Sequence, residues 1–163
     1  MKAPVTAPIA GAQKSELAAT VAGETGPEVL TREQFGALKV AWETFAKQAQ
    51  TNADADLAAL KIDYVRDQKK VITYVVVKSA RGLVASAVLA PKFPALFKDT
   101  LGDKLLVAVP NRTTAYIFPR LASAYQEYAP LVLEAYRATP YPVTREVFEL
   151  SKDGIKAVGV YEQ

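Results

Sequence analysis

A chain of 163 residues, half of them apolar and 23% charged, has the size and balance of a single domain that buries its own core. Cysteine and histidine are both absent, which excludes disulfides, thiolate or imidazole metal sites, cysteine nucleophiles, Ser-His-Asp triads and histidine general bases. The formal charge of +3 sits in residues 54–100, with eight basic and five acidic side chains, a spread too diffuse for a nucleic-acid stripe, so nucleic acid is not expected as a partner.

Residues 1–30 read as a flexible leader, rich in Ala, Pro, Thr and Gly, free of aromatics and without sustained apolar period. A short helical turn fits only around Ser15–Val21. Met1-Lys2-Ala3-Pro4 lacks the hydrophobic stretch of an intact signal peptide. It suits either a cytoplasmic start or the mature end left after a signal was removed, so the compartment stays open. Residues 31–163 are then expected to form one α+β domain.

Thr31-Arg32-Glu33-Gln34 has the form of a capping box. Behind it Phe35, Leu38, Trp42, Phe45 and Ala49 recur at helical spacing, predicting one amphipathic helix whose stripe packs on the domain's own sheet. From Leu60 the period becomes two, predicting a half-buried strand, a turn at Asp67–Lys70 and a central strand over Val71–Val77. After the Ser79–Gly82 turn, Leu83–Leu89 reads as a third strand, with a helix as the lesser alternative. Pro91 and Pro94 bound a short helical segment. Lys104–Val109 and Thr114–Phe118 predict a hairpin, with Pro110-Asn111-Arg112-Thr113 as its turn and Asn111 tolerating a left-handed backbone. A helix through Leu121, Tyr125, Tyr128, Val132 and Ala135 should kink or break at Pro130. Glu146–Leu150 and Ile155–Tyr161 close the chain as a hairpin. The sum is an α+β domain: a mostly antiparallel sheet of about six or seven strands, packed by an N-terminal amphipathic helix and a kinked helix. No apolar run approaches the roughly 20 residues that span a bilayer.

The eight glycines form no phosphate-cradling loop. Asp54-Ala55-Asp56, the only close acidic pair that suggests a hard cation, lacks the glycine and closing glutamate of a calcium loop; no metal or cofactor is expected. Arg66, Lys69, Lys70, Lys78 and Arg81 line one predicted hairpin, where lysines also discourage edge pairing. The Pro110–Arg112 turn is the most specific feature, since an Arg there can present its planar fork to a carboxylate or phosphate. Arg120, Arg137 and Arg145 join it if the kinked helix folds back, and Tyr116, Tyr125, Tyr128, Tyr136 and Tyr141 supply aromatic bodies with polar tips. The candidate binding residues are therefore Asn111, Arg112, Tyr116, Arg120 and Tyr125, with a protein or small anionic ligand as partner. The alternative is a hydrolase or transferase with Asp103 or Glu134 as base and Arg112 as anion clamp.

Leu105-Leu106-Val107-Ala108-Val109-Pro110-Asn111-Arg112-Thr113, with Phe97–Asp103 before it and Pro142-Val143-Thr144 and Val147-Phe148 after it, resembles an uncharacterised bacterial family of unknown function. That family carries a Leu-Gly-Asp turn, an apolar strand ending Val-Pro-Asn-Arg, an apolar return strand, a helix and a late Phe strand. The likeness covers residues 97–150. It implies an α+β fold and a bacterial source and no reaction. An Asp often follows the Arg in that family, whereas Thr113 stands here, a departure that counts against an enzyme.

Overall fold

The computed structural model describes residues 3–24, 26–119 and 125–162. Within the first thirty, read from sequence as a flexible leader, four short strands form two hairpins: β1 (Thr6–Pro8) with β2 (Glu16–Ala18), and β3 (Thr20–Gly23) with β4 (Gly26–Val29). Ser15–Val21, where a helical turn was expected, is thus strand on both sides of Ala19. The hairpins close around Ala19 and Leu30, both buried, with Leu30 N–H donating to the Ala19 carbonyl at 2.8 Å.

The capping box forms as expected: Thr31 accepts from Gln34 N–H, and the Gln34 side chain accepts from Thr31 N–H. The helix it starts is short, however. α1 (Arg32–Ala37) stops, Lys39 takes a φ of 55°, and α2 (Trp42–Asp56) begins anew. A continuous helix would run through Gly36 and the β-branched Val40, both poor formers. The break instead packs Phe35 against Trp42 in a tilted contact and edge-on to Phe45, at 6.0 and 5.2 Å between ring centroids.

β5 (Lys61–Arg66) and β6 (Ile72–Lys78) form the expected hairpin, its turn held by the Asp67 carboxylate, which accepts from Lys69 and Val71 N–H. The next segment corrects the sequence reading. Leu83–Leu89 contains a helix, α3 (Val84–Val88), not a strand. The mostly apolar run, interrupted only by Ser86, fits either state. Packing decides it, because Val84, Ala87 and Val88 bury a single helical face, and the Ser79 hydroxyl accepts from Leu83 N–H at the helix start. α4 (Lys98–Leu101) follows a tight turn over Pro94–Phe97.

β7 (Leu105–Ala108) and β8 (Thr114–Pro119) form the second hairpin, and α5 (Ala129–Arg137) follows. Pro130 sits in the first turn of α5, where its missing N–H leaves no bond unmade, so of the expected kink or break it is the break that forms, between a 3-10 turn over Tyr125–Tyr128 and α5. β9 (Glu146–Ser151) and β10 (Gly154–Val160) complete the chain. Six strands make one antiparallel sheet in the order β10-β9-β7-β8-β6-β5. The fold is α+β, with the main sheet at the lower end of the expected strand count.

Alternation along the central strands sorts side chains to two cores. Val75, Val77, Leu105, Val107, Ala115 and Ile117 face one way, against α3, Phe93 and Phe97. Leu106, Ala108, Tyr116 and Phe118 face the other, against Val132 and Leu133 of α5 and Tyr161. Both faces are therefore dry, which explains the near-continuous apolar runs of β6 and β7. Among the described residues no helix is long and apolar enough to cross a membrane.

The edge strand β10 is partly covered by the N-terminal segment. Ala157 N–H donates to the Ala10 carbonyl at 2.8 Å, and Gly11, at φ +74°, lies so close that a Cβ there would sit 2.7 Å from the Ala157 oxygen. Beside it the buried Glu146 carboxylate accepts from Gln13 N–H at 2.7 Å and Lys14 N–H at 3.4 Å, while the Ser15 and Thr144 hydroxyls pair at 2.7 Å. Burial pushes the Glu146 carboxyl up, but the Ser15 hydroxyl and the amides of Gln13, Lys14 and Ser15 outweigh it and hold the group below its ordinary value. A carboxyl that titrates lower folded than unfolded stabilises fully above the unfolded value of about 4.3, and that contribution fades as pH falls through the folded value. Glu146→Gln should therefore cost about 1.5–3 kcal/mol near neutral pH, read from urea denaturation. The gap between wild type and variant should narrow as the melts are repeated towards about pH 3.

Candidate functional site

The Pro110–Arg112 turn lies where elements from both faces of the sheet meet. Asn111 does not need a left-handed backbone; among the described non-glycine residues only Lys39 and Lys70 have positive φ. It works through its side chain. Oδ1 accepts from Thr113 N–H and Oγ1–H, both at 3.0 Å, and from Thr114 N–H at 2.9 Å, while Nδ2 donates to the Ala135 carbonyl of α5 at 3.0 Å. Asn111 is buried, and all of these bonds are internal. The neighbouring backbone is equally tied: Val84 N–H of α3 donates to the Arg112 carbonyl, Ser79 N–H to that of Thr113, and Val143 N–H to that of Pro110.

With its main chain fixed, Arg112 sends its side chain into a cleft of about 390 Å³ between the β3–β4 turn, the Ala80–Leu83 loop and Tyr141. The guanidinium carbon lies 4.6 Å from the centre of the Tyr141 ring, a cation–π contact. No carboxylate comes within ion-pair distance of Arg112 among the described residues. Gly23, Gly26 and Gly82 bring bare backbone to the walls, and Gly82 holds φ +71°. A Cβ on Gly82 would meet the Arg112 Cβ at 3.7 Å and Pro27 at 3.8 Å. Arg81 lines the same cleft, paired at 3.5 Å with Asp56 at the end of α2, and among the described residues Glu24 is the one acid on its wall.

The other residues singled out from the sequence lie elsewhere. Tyr116 is buried in the core under α5, its phenol pushed up by burial and by neighbouring Tyr74 and Glu134. Tyr125 packs at that core's margin, its ring 5.9 Å from Tyr161 and its carbonyl accepting from the Tyr161 hydroxyl. Arg112, Tyr116 and Tyr125 thus do not line one concavity. Arg120 lies outside the described residues. Arg145 stacks near Tyr136 instead of joining Arg112. Asp54 accepts from Lys92 N–H and Asp56 pairs with Arg81, so each acid of that pair ties down a different loop. Among the described residues no three acids gather as a metal site.

Three of the residues that line the cleft with Arg112 escaped the sequence reading. Tyr141 was one of five tyrosines with nothing to rank it above the rest, and Gly23 and Gly26 lay in the stretch read as a leader. Their turn spacing before Pro27 was the available signal. A second concavity was missed altogether. Trp42 and Phe45, expected against the sheet, are half-buried and wall a groove of about 430 Å³. Only Ala53 of α2 reaches the buried core.

No family model, curated protein or solved structure matches the chain. The geometry of the turn yields its own test. Asn111→Ala removes one acceptor shared by three donors and frees the Ala135 carbonyl, so it should destabilise the chain by about 2–3 kcal/mol in denaturant melts. Arg112→Ala should cost well under half of that.

Proposed function

We propose that the chain is a non-catalytic binding domain that holds a small anion, a carboxylate or a phosphate, in the cleft beside the Pro110–Arg112 turn. The observation that carries this reading is Arg112 itself: a guanidinium positioned over Tyr141, at a wall of bare glycine backbone, without a carboxylate partner among the described residues. An arginine that serves only its fold is normally engaged by an acid or by carbonyl oxygens; one fixed by a ring and left with free donors is set up to receive a planar or tetrahedral oxyanion. Arg81 adds a second positive charge at the rim, moderated by Asp56 and by Glu24 across the cleft. A net attraction of this size suits weak, salt-sensitive binding of one anion.

The enzymatic alternative has less to stand on. Neither Asp103 nor Glu134 lines the Arg112 cleft, so neither has reach as a base towards a group held there.

Amide-resolved NMR during titration with inorganic phosphate, and separately with citrate, reads the cleft directly. The Gly26 and Gly82 signals should shift saturably, Arg112→Gln should weaken binding by about tenfold, and Arg112→Lys should restore part of it. Absent or non-saturating shifts, or shifts that survive Arg112→Gln unchanged, would overturn the reading.

A further inference from the structure

We infer that the groove beside α2 is a second site, for an aliphatic carboxylate, with the hydrocarbon chain along Trp42 and Phe45 and the carboxylate at Lys152. It shares no lining residue with the Arg112 cleft, so the two proposals stand or fall separately. The groove's volume of about 430 Å³ is within the roughly 300–1,000 Å³ typical of small-ligand sites. Its walls come from four separate parts of the chain: the β2–β3 junction, α2, the end of α3 with the following prolines, and the β9–β10 turn. Ala53, Ala90 and Leu150 form a floor continuous with the buried core, which keeps the base of the groove dry.

Three features give the ligand's chemistry. Small side chains on α2, Ala46 and Ala49, leave a channel that larger residues would fill, and the Trp42 and Phe45 rings supply flat apolar surface beside it. Lys152 is the sole charged residue of the lining and forms no ion pair among the described residues. The other polar lining side chains, Thr20, Gln50, Ser86 and Ser151, are uncharged. An apolar channel with one cation and no acid is complementary to a hydrocarbon tail bearing a single negative head. A cationic amphiphile would meet Lys152 unfavourably, and a neutral hydrocarbon would leave the ammonium unused. The volume admits one chain, whereas the face of a partner helix needs a trough several turns long.

Trp42 is the only tryptophan, so its emission reports the groove. Titration with decanoate below its micelle-forming concentration should change that emission saturably, with calorimetry giving the same affinity. Decyltrimethylammonium should bind about tenfold more weakly, and Lys152→Glu should reverse that preference. Ala46→Phe, which fills the channel, should remove calorimetric binding while leaving the melting temperature close to wild type. Arg112→Gln should leave decanoate binding intact. The proposal fails if decanoate gives no saturable response, if the cationic and anionic amphiphiles bind alike, or if Lys152→Glu leaves the preference unchanged. It also fails if sedimentation shows the emission change tracking self-association, because a second copy would then be the groove's occupant.

Discussion

Asn111 is the residue on which the rest of the architecture turns. A sheet covered on both faces needs a fixed relation between the two covering layers, and here the β7–β8 turn supplies it. The Asn111 amide reaches Ala135 of α5 on one side, and the Arg112 carbonyl receives Val84 of α3 on the other. The side-chain oxygen meanwhile takes the donors that a four-residue turn would otherwise leave unmet. Each bond contributes only about 1 kcal/mol net, but a buried amide missing its partners costs more than that, so the set behaves as a unit. The direction of Arg112 follows. With its neighbours committed to the core and its own carbonyl committed to α3, the side chain has only the cleft to enter.

The sheet's two edges are managed by different physics. β5 carries the exposed charges Lys61, Asp63 and Arg66, which make pairing with another strand costly. β10 is covered instead, by backbone from the N-terminal segment that Gly11 allows to approach closely. That cover has few apolar contacts to hold it, since Ala19 and Leu30 are the buried hydrophobes of the segment. The Glu146 carboxylate makes up the difference. Desolvation alone would favour its neutral form, yet the converging amides and the Ser15 hydroxyl win, and the charge they stabilise is what fastens the segment.

Legibility in the sequence followed the strength of local signals. The hairpins β5–β6, β7–β8 and β9–β10 were readable because period two or an unbroken β-branched run sat between turn residues, as at Asp67–Lys70 and Pro110–Thr113. α3 was misread because six apolar residues around the single Ser86 carry no clear period; only the burial of Val84, Ala87 and Val88 on one side tells helix from strand. The stripe from Phe35 to Ala49 had a clear period that outweighed the weak helix formers Gly36 and Val40, so the break before Trp42 was not read. The N-terminal strands had little signal beyond the glycines before Pro27, being three or four residues long with Ala, Pro, Gly and Glu interrupting the few β-branched residues. Arg112 was found by its turn. Its surroundings were not, because Tyr141, Gly26 and Gly82 come from three distant parts of the chain and only the fold brings them together.

The same N-terminal strands connect the two proposed sites. The stretch from Leu17 to Thr20 walls the groove, and Ala22, Gly23, Glu24 and Gly26 wall the Arg112 cleft, so one short run of strands shapes both. A segment that barely contributes to the core therefore defines both concavities. This division has a physical logic: residues freed from packing can be small, and small residues leave the open backbone and empty volume that a ligand requires. It also makes the walls only as firm as their anchor. Gln13 and Lys14, held by Glu146, lie immediately before β2, and protonating that carboxylate would loosen the wall of the groove first and, through the continuous β2–β3 backbone, that of the cleft.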